Sequence, residues 1–202
     1  MIGIIDLGSG NLRSVERLVR ECDGRAKIVD DPADISRATK LVLPGVGRFD
    51  VVMSALAERG YRDLLESAVW ERGVPILGIC VGMQILADSS EEGTLTGLGW
   101  VPGNCVRFPD STEFKVPHIG WSAVRHARPC PLSRSVKVDA KFYFLHSYVL
   151  DVVDPESVAL RAQYGDFEFA AMVRRENVFG VQFHPEKSHE AGRQIIRDFV
   201  EL

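Results

Sequence analysis

In the first half of the chain, short unbroken apolar runs alternate with stripes at helical spacing. "IGIID", "AKIV", "KLVL" and "VPILGI" read as strands; "NLRSVERLVREC" and residues 50–72 read as helical. In the first helix Leu12, Val15, Leu18, Val19 and Cys22 share one face. Such β-α alternation predicts a parallel sheet covered by helices. From residue 98 to 183 the pattern turns mostly to strands, among them "NCVRF", "KFYFLHSYVL", "SVALRAQY", "FEFAAMV" and "VFGVQF". A closing helix carries Ile195, Phe199 and Leu202 in its stripe. No repeat, low-complexity tract or linker interrupts the pattern, so residues 1–202 read as a single α/β domain.

Composition narrows the classes. A chain 46% hydrophobic and 26% charged is ordinary for a globular protein and excludes disorder and fibres. The net charge of -4, with 24 basic residues scattered, leaves no footprint for nucleic acid or an anionic membrane. No apolar run approaches the roughly 18 residues a bilayer span needs, and the start reads as a strand of the mature fold. Cys22, Cys80, Cys105 and Cys130 show neither C-x-x-C spacing nor a dense disulfide framework, so a reducing, cytoplasmic setting is expected.

Two stretches carry candidate chemistry. In "VPILGICVGMQILADS" Cys80 lies between a predicted strand (74–79) and a helix suggested by Met83, Leu86 and Ala87, with Gly78 and Gly82 on either side. Core packing is one reading of such a cysteine. The glycine bracket supports another, a nucleophile on a sharp strand-to-helix turn where backbone must approach closely and where the helix start favours thiolate. In "VFGVQFHPEKS" alternation places Gln182, His184 and Glu186 on one side, and Phe179, Val181 and Phe183 on the other. Cys80, His184 and Glu186 then supply a nucleophile, its general base and an orienting carboxylate. The acid follows the histidine, which is not the α/β-hydrolase order. "LVLPGVG" offers backbone N–H groups for an oxyanion, with Gly45 and Gly47 permitting a peptide to reorient. "LGSGN" lacks the third glycine of a dinucleotide fingerprint; a tight turn with Asn11 as a helix cap explains it.

Together these features resemble the class I, triad-type glutamine amidotransferases. "DLGSGNLRSV", "LPGVGRF", "GICVGMQIL", "SSEEG", "VPHIGW", "FYFLHSY" and "VFGVQFHPEKS", spanning residues 6–188, are similar to the glutaminase subunits of imidazole glycerol phosphate synthase. The resemblance implies a three-layer α/β fold: a largely parallel central sheet flanked by helices, with additional antiparallel strands in the second half. It implies oxyanion donors from Val46, Gly47 and Val81, and glutamine-holding groups at Gln84, Glu92, Ser147 and Tyr148. Taken alone, those four read as helix surface, acidic loop and strand. Asn11, His118, Trp121, Tyr143 and Lys187 resemble positions on the partner face or ammonia route. Where the family commonly has asparagine after "HIGW" this chain has Ser122, so a shorter or water-mediated contact is expected there. The implied reaction is hydrolysis of L-glutamine through a cysteine thioester, with no metal or organic cofactor. Ammonia would pass to a separate (β/α)8 barrel cyclase, paired as a heterodimer, that makes imidazole glycerol phosphate and AICAR for histidine synthesis. Two alternatives stay open: a paralogous subunit feeding a cell-surface sugar-aminating synthase, and a non-catalytic regulatory subunit.

Overall fold

The computed structural model describes residues 1–202. In chain order the strands are β1 (Ile2–Ile5), β2 (Ala26–Val29), β3 (Lys40–Gly45), β4 (Ile76–Cys80), β5 (Ser89–Ser90) and β6 (Gly103–Arg107). Then come β7 (His118–His126), β8 (Lys141–His146), β9 (Tyr148–Val152), β10 (Val158–Tyr164), β11 (Phe167–Arg175) and β12 (Val178–Val181). The helices are α1 (Leu12–Glu21), α2 (Pro32–Arg37), α3 (Phe49–Glu58), α4 (Tyr61–Glu66), α5 (Val81–Gln84) and α6 (His189–Val200).

Nine strands form one sheet in the order β2-β1-β3-β4-β12-β11-β10-β7-β8; β5, β6 and β9 form a small second sheet. From β2 to β12 the neighbours run parallel. Beyond β12 the same sheet continues antiparallel. α1 packs with α6, and α4 with α2 and α3, while the short α5 packs on β3, β4 and β12; the expected three-layer α/β fold is what forms. Buried strands β1, β3, β4 and β12 read as continuous apolar runs because helices cover both faces there. No helix is long and apolar enough to cross a membrane, and all four cysteines are unpaired.

Several elements depart from the sequence reading. Residues 50–72 form two helices and a π turn rather than one helix, because Gly60 enters the left-handed region at φ +66°. The helix after Cys80 lasts a single turn, so Leu86 and Ala87 lie past its end. "KFYFLHSYVL" is not one strand: it breaks at Ser147, sending β8 to the large sheet and β9 to the small one. α2 and β7 were not foreseen. Asn11 stands at the start of α1 but its side chain makes no capping hydrogen bond; only its carbonyl accepts, from Val15 N at 3.0 Å and Ser14 N at 3.1 Å. Leu202 lies beyond α6 and is exposed rather than part of its buried stripe.

Candidate active site

Three adjacent parallel strands, β3, β4 and β12, end side by side, with Gly45 opposite Cys80 and Ile79 opposite Val181. The chain leaving each carboxyl end supplies one part of the site, the usual place for a ligand in such a sheet. Past β4 comes Cys80, at φ +56° and ψ -112°. A non-glycine residue at positive φ is strained and persists only where its surroundings hold it. The glycine bracket does that holding: a methyl group on Gly78 would collide with the Gly82 carbonyl, and one on Gly82 with the Leu43 carbonyl of β3. Cys80 is 3% exposed, and its Sγ lies 3.7 Å from the Leu145 carbonyl oxygen, to which the thiol donates.

Past β12, His184 is extended and Pro185 starts a single 3-10 turn. Glu186 therefore does not continue an alternating strand, as the spacing suggested; the turn folds its carboxylate back, and Oε1 meets His184 Nδ1 at 3.0 Å. Phe183 stacks on Phe142 at 4.0 Å, while His184 N donates to the Tyr143 carbonyl at 2.9 Å. Ser188, which the sequence reading passed over, locks the turn: its hydroxyl donates to the His184 carbonyl at 2.6 Å and accepts from Tyr143 N at 2.9 Å. His184 Nε2 is buried without a hydrogen-bond partner. Burial pulls the ring's pKa down, but the adjacent Cys80 and Glu186 side chains outweigh it and raise it to about 9.

Cys80 and His184 line one cavity of about 260 Å³, near the lower edge of ligand-site sizes and suited to an amino acid. Val46, Gly47 and Val81 line it too, as do Gln84, Glu92, Ser147 and Tyr148. The amides of Val46 and Gly47 donate to no backbone carbonyl, which leaves them free for a ligand. Gly45 is not part of a flexible segment: it is the last residue of β3 and a side chain there would press on Gly82. The hinge is narrower, at Val46 and Gly47, where Gly47 has φ +102° and open space about it.

Gln84 is buried rather than on a helix surface; its Nε2 donates to the Tyr148 carbonyl at 3.0 Å and to Gln182 Oε1 at 3.1 Å. Glu92 Oε2 accepts from Phe49 N at 2.7 Å, so its carboxylate sits at the positive end of α3. That contact ties the acidic loop to the chain leaving Val46 and Gly47.

The outward-facing candidates divide. Trp121 is 45% exposed and Lys187 is exposed, its ammonium 5.5 Å from the Tyr143 ring centre; Asn11 is exposed as well. His118 is instead buried at 1% exposure, stacked on Tyr164 at 4.0 Å, so it stands inside and not on the outer face. Its Nδ1 meets His146 Nε2 at 3.1 Å, His146 Nδ1 meets the Tyr148 carbonyl at 2.9 Å, and Ser122 Oγ meets His118 Nε2 at 3.0 Å. The carbonyl can only accept, so the protons follow: both rings carry hydrogen on Nδ1, and Ser122 donates to His118. The Ser122 contact is a direct one. Burial drives the pKa of His118 down to about 4 and of His146 to about 3, keeping both neutral. No three His, Cys, Asp or Glu side chains converge as a metal site.

The family model for glutamine amidotransferase class-I matches residues 3–202. The chain is 43% identical to the imidazole glycerol phosphate synthase subunit HisH of Leptospira interrogans, covering 100% of both chains. It is 44% identical to imidazole glycerol phosphate synthase subunit HisH 2 of Pseudomonas aeruginosa, again over 100% of both. Among solved structures, that of PurLQS from Thermotoga maritima superposes with a TM-score of 0.76 at 20% identity, covering 99% of this chain and 97% of that one.

Proposed function

The chain belongs to the class I glutamine amidotransferase family, and from that premise we propose that it is the glutaminase subunit of an imidazole glycerol phosphate synthase, working through Cys80. The observation that carries the chemistry is the strained Cys80 sharing a cavity with a histidine whose far nitrogen is held by Glu186 at 3.0 Å. Cys80 Sγ attacks the side-chain carboxamide carbon of L-glutamine. The thiol proton passes to His184 Nε2 and on to the departing ammonia. Glu186, at 3.0 Å from Nδ1, fixes the tautomer of the ring and stabilises the imidazolium that forms. Amides of Val46, Gly47 and Val81 receive the oxyanion, and water then cleaves the γ-glutamyl thioester.

Gln84 Oε1, Glu92 and the Ser147–Tyr148 segment hold the amino and carboxylate ends of glutamine. Gln84 suits the task because both hydrogens of its amide are engaged within the protein, so only its oxygen faces the substrate. Glutamate is released, and the ammonia goes to a separate cyclase of (β/α)8 form, docked on the face carrying Trp121, Tyr143 and Lys187, for imidazole glycerol phosphate and AICAR formation in the cytoplasm. A strained Cys80 and a Glu186-held His184 on one cavity speak against a purely regulatory role. The test is glutamate release by Cys80→Ala with a cyclase partner and its acceptor present. A loss of about 10³-fold or more is expected; turnover at a substantial fraction of the parent rate would remove Cys80 from the mechanism.

A further inference from the structure

Gln182 belongs to no part of the triad, yet its side chain ends on the reacting atom. It follows the last residue of β12, is 0% exposed, and its Nε2 lies 3.8 Å from Cys80 Sγ. The direction of that amide is forced from a distance. A carbonyl oxygen can only accept, so Tyr148 O compels Gln84 to present Nε2, at 3.0 Å. The second hydrogen on Gln84 Nε2 then goes to Gln182 Oε1 at 3.1 Å. With its oxygen fixed there, Gln182 turns its NH2 group toward the sulfur and has no alternative orientation that keeps both bonds.

We propose that Gln182 is a further catalytic residue, donating an N–H to Cys80 Sγ and stabilising it as the thiolate. The inference rests on Cys80 being the nucleophile. While the sulfur carries its proton, the S–H donates to the Leu145 carbonyl at 3.7 Å. When that proton moves to His184 Nε2, the electron pair stays on sulfur, which becomes an acceptor only. Leu145 O then faces a negative atom and repels it. The Gln182 N–H faces the same atom and strengthens, because a hydrogen bond to an ionised partner is about twice as strong as a neutral one. Gln182 thereby offsets the Leu145 carbonyl and supplements the imidazolium, and it does so from a position that substrate does not displace.

Gln182→Glu is the discriminating variant. It keeps the length and the oxygen that accepts from Gln84, and it replaces only the N–H with an acceptor. Gln182→Met, of similar length, removes both polar ends and serves should the buried carboxylate unfold the chain. The readout is the rate of Cys80 alkylation by iodoacetamide across pH on the full chain, located by mass spectrometry, because the thiolate is the reacting form. In both variants the midpoint of that pH profile moves upward, and alkylation at neutral pH slows by roughly tenfold, the lower end for losing a hydrogen bond to a charge. With a cyclase partner, glutamine kcat falls by a similar factor while KM changes less. A folded variant whose alkylation midpoint stays at the parent value overturns the proposal, even if its kcat has dropped, since a packing role would lower kcat alone. Turnover in Cys80→Ala reports separately on the nucleophile, so loss of that reading and loss of the Gln182 role give different results.

Discussion

At His184 two opposing effects meet, burial lowering the pKa and the Cys80 and Glu186 side chains raising it, and the partners win at about 9. A folded-state pKa above the unfolded value of about 6.5 means that the native chain binds the extra proton. The stabilisation is therefore complete below about pH 6.5 and is lost as pH rises through 9. Urea midpoints measured from pH 6 to 10 should fall across that window in the parent and stay flatter in His184→Ala. The buried pair behaves oppositely: His118 and His146 are held neutral, at about 4 and about 3, so their contribution is present above pH 6.5 and fades as pH falls through those values. His146→Gln should therefore lose part of the parent's acid sensitivity between pH 6 and 4. For catalysis, Glu186→Gln retains shape but gives the imidazolium a neutral neighbour, and kcat for glutamate release should fall at least tenfold with KM nearly unchanged; a normal rate would take Glu186 out of the mechanism. Cys80, His184 and Glu186 stand out as candidates in the sequence because each is marked locally, by a glycine bracket or by a His-Pro-Glu turn. Gln182 on the sulfur, the Leu145 carbonyl and the histidine pair were not, because each depends on contacts between residues 65 or more positions apart, or between strands whose pairing no local pattern encodes.

Among the elements, the readable ones were those whose periodicity ended where the structure ends. β1, β3, β4 and α1 show clear apolar runs or stripes, whereas "KFYFLHSYVL" keeps a strand-like pattern straight through the break at Ser147, so only the change of sheet reveals two strands. α2 left a signal that went unused: Asp31 accepts from Ala33 N at 2.8 Å and Pro32 occupies the first helical position. The contact of β4 and α5 with β3 rests on absent side chains. Gly82→Ala would drive a methyl into the Leu43 carbonyl, a backbone atom that cannot swing aside. A destabilisation of about 3 kcal/mol is expected, the upper part of the overpacking range, together with loss of activity as the elbow shifts. A Gly82→Ala protein with the parent's denaturation midpoint would refute the close-approach account. Asp50, near the start of α3, accepts from Thr94 N and Leu95 N, which depresses its pKa and pins the loop that carries Glu92. Asp50→Ala should accordingly raise KM for glutamine severalfold with a smaller change in kcat.

On the scale of the whole molecule, the parallel half of the sheet brings the proposed nucleophile, base and oxyanion donors to its strand ends, while the antiparallel half carries the aromatic surface beside them. The exposed apolar and aromatic residues Val46, Ile119, Trp121 and Leu145 include two that border the catalytic cavity itself. Trp121 stacks on His189 at 5.2 Å and meets Tyr143 edge-on at 5.9 Å, and Lys187 lies over Tyr143. A rigid aromatic cluster with a cation at its edge is the kind of anchor that dominates protein interfaces. A partner docked there would reach the chemistry by a short route: Lys187 ends the turn that carries Glu186 beside His184, and Val46 is itself part of the hinge. The partner's effect is therefore expected as a population shift of the Val46–Gly47 hinge toward the state whose amide faces the oxyanion, a donor worth about 2.7–4 kcal/mol. The isolated chain should release glutamate slowly and the complex with liganded cyclase some 10²-fold faster or more. Trp121→Ala should raise the Kd of the cyclase roughly 30-fold, as for loss of a buried aromatic anchor of about 2 kcal/mol, while the slow rate of the isolated chain stays as it was. At saturating cyclase the variant should recover most of the stimulation, since Trp121 holds the partner and does not touch the hinge. Parent-like affinity in Trp121→Ala would move the docking face elsewhere, and equal rates with and without the partner would end the gating account while leaving Cys80 its role.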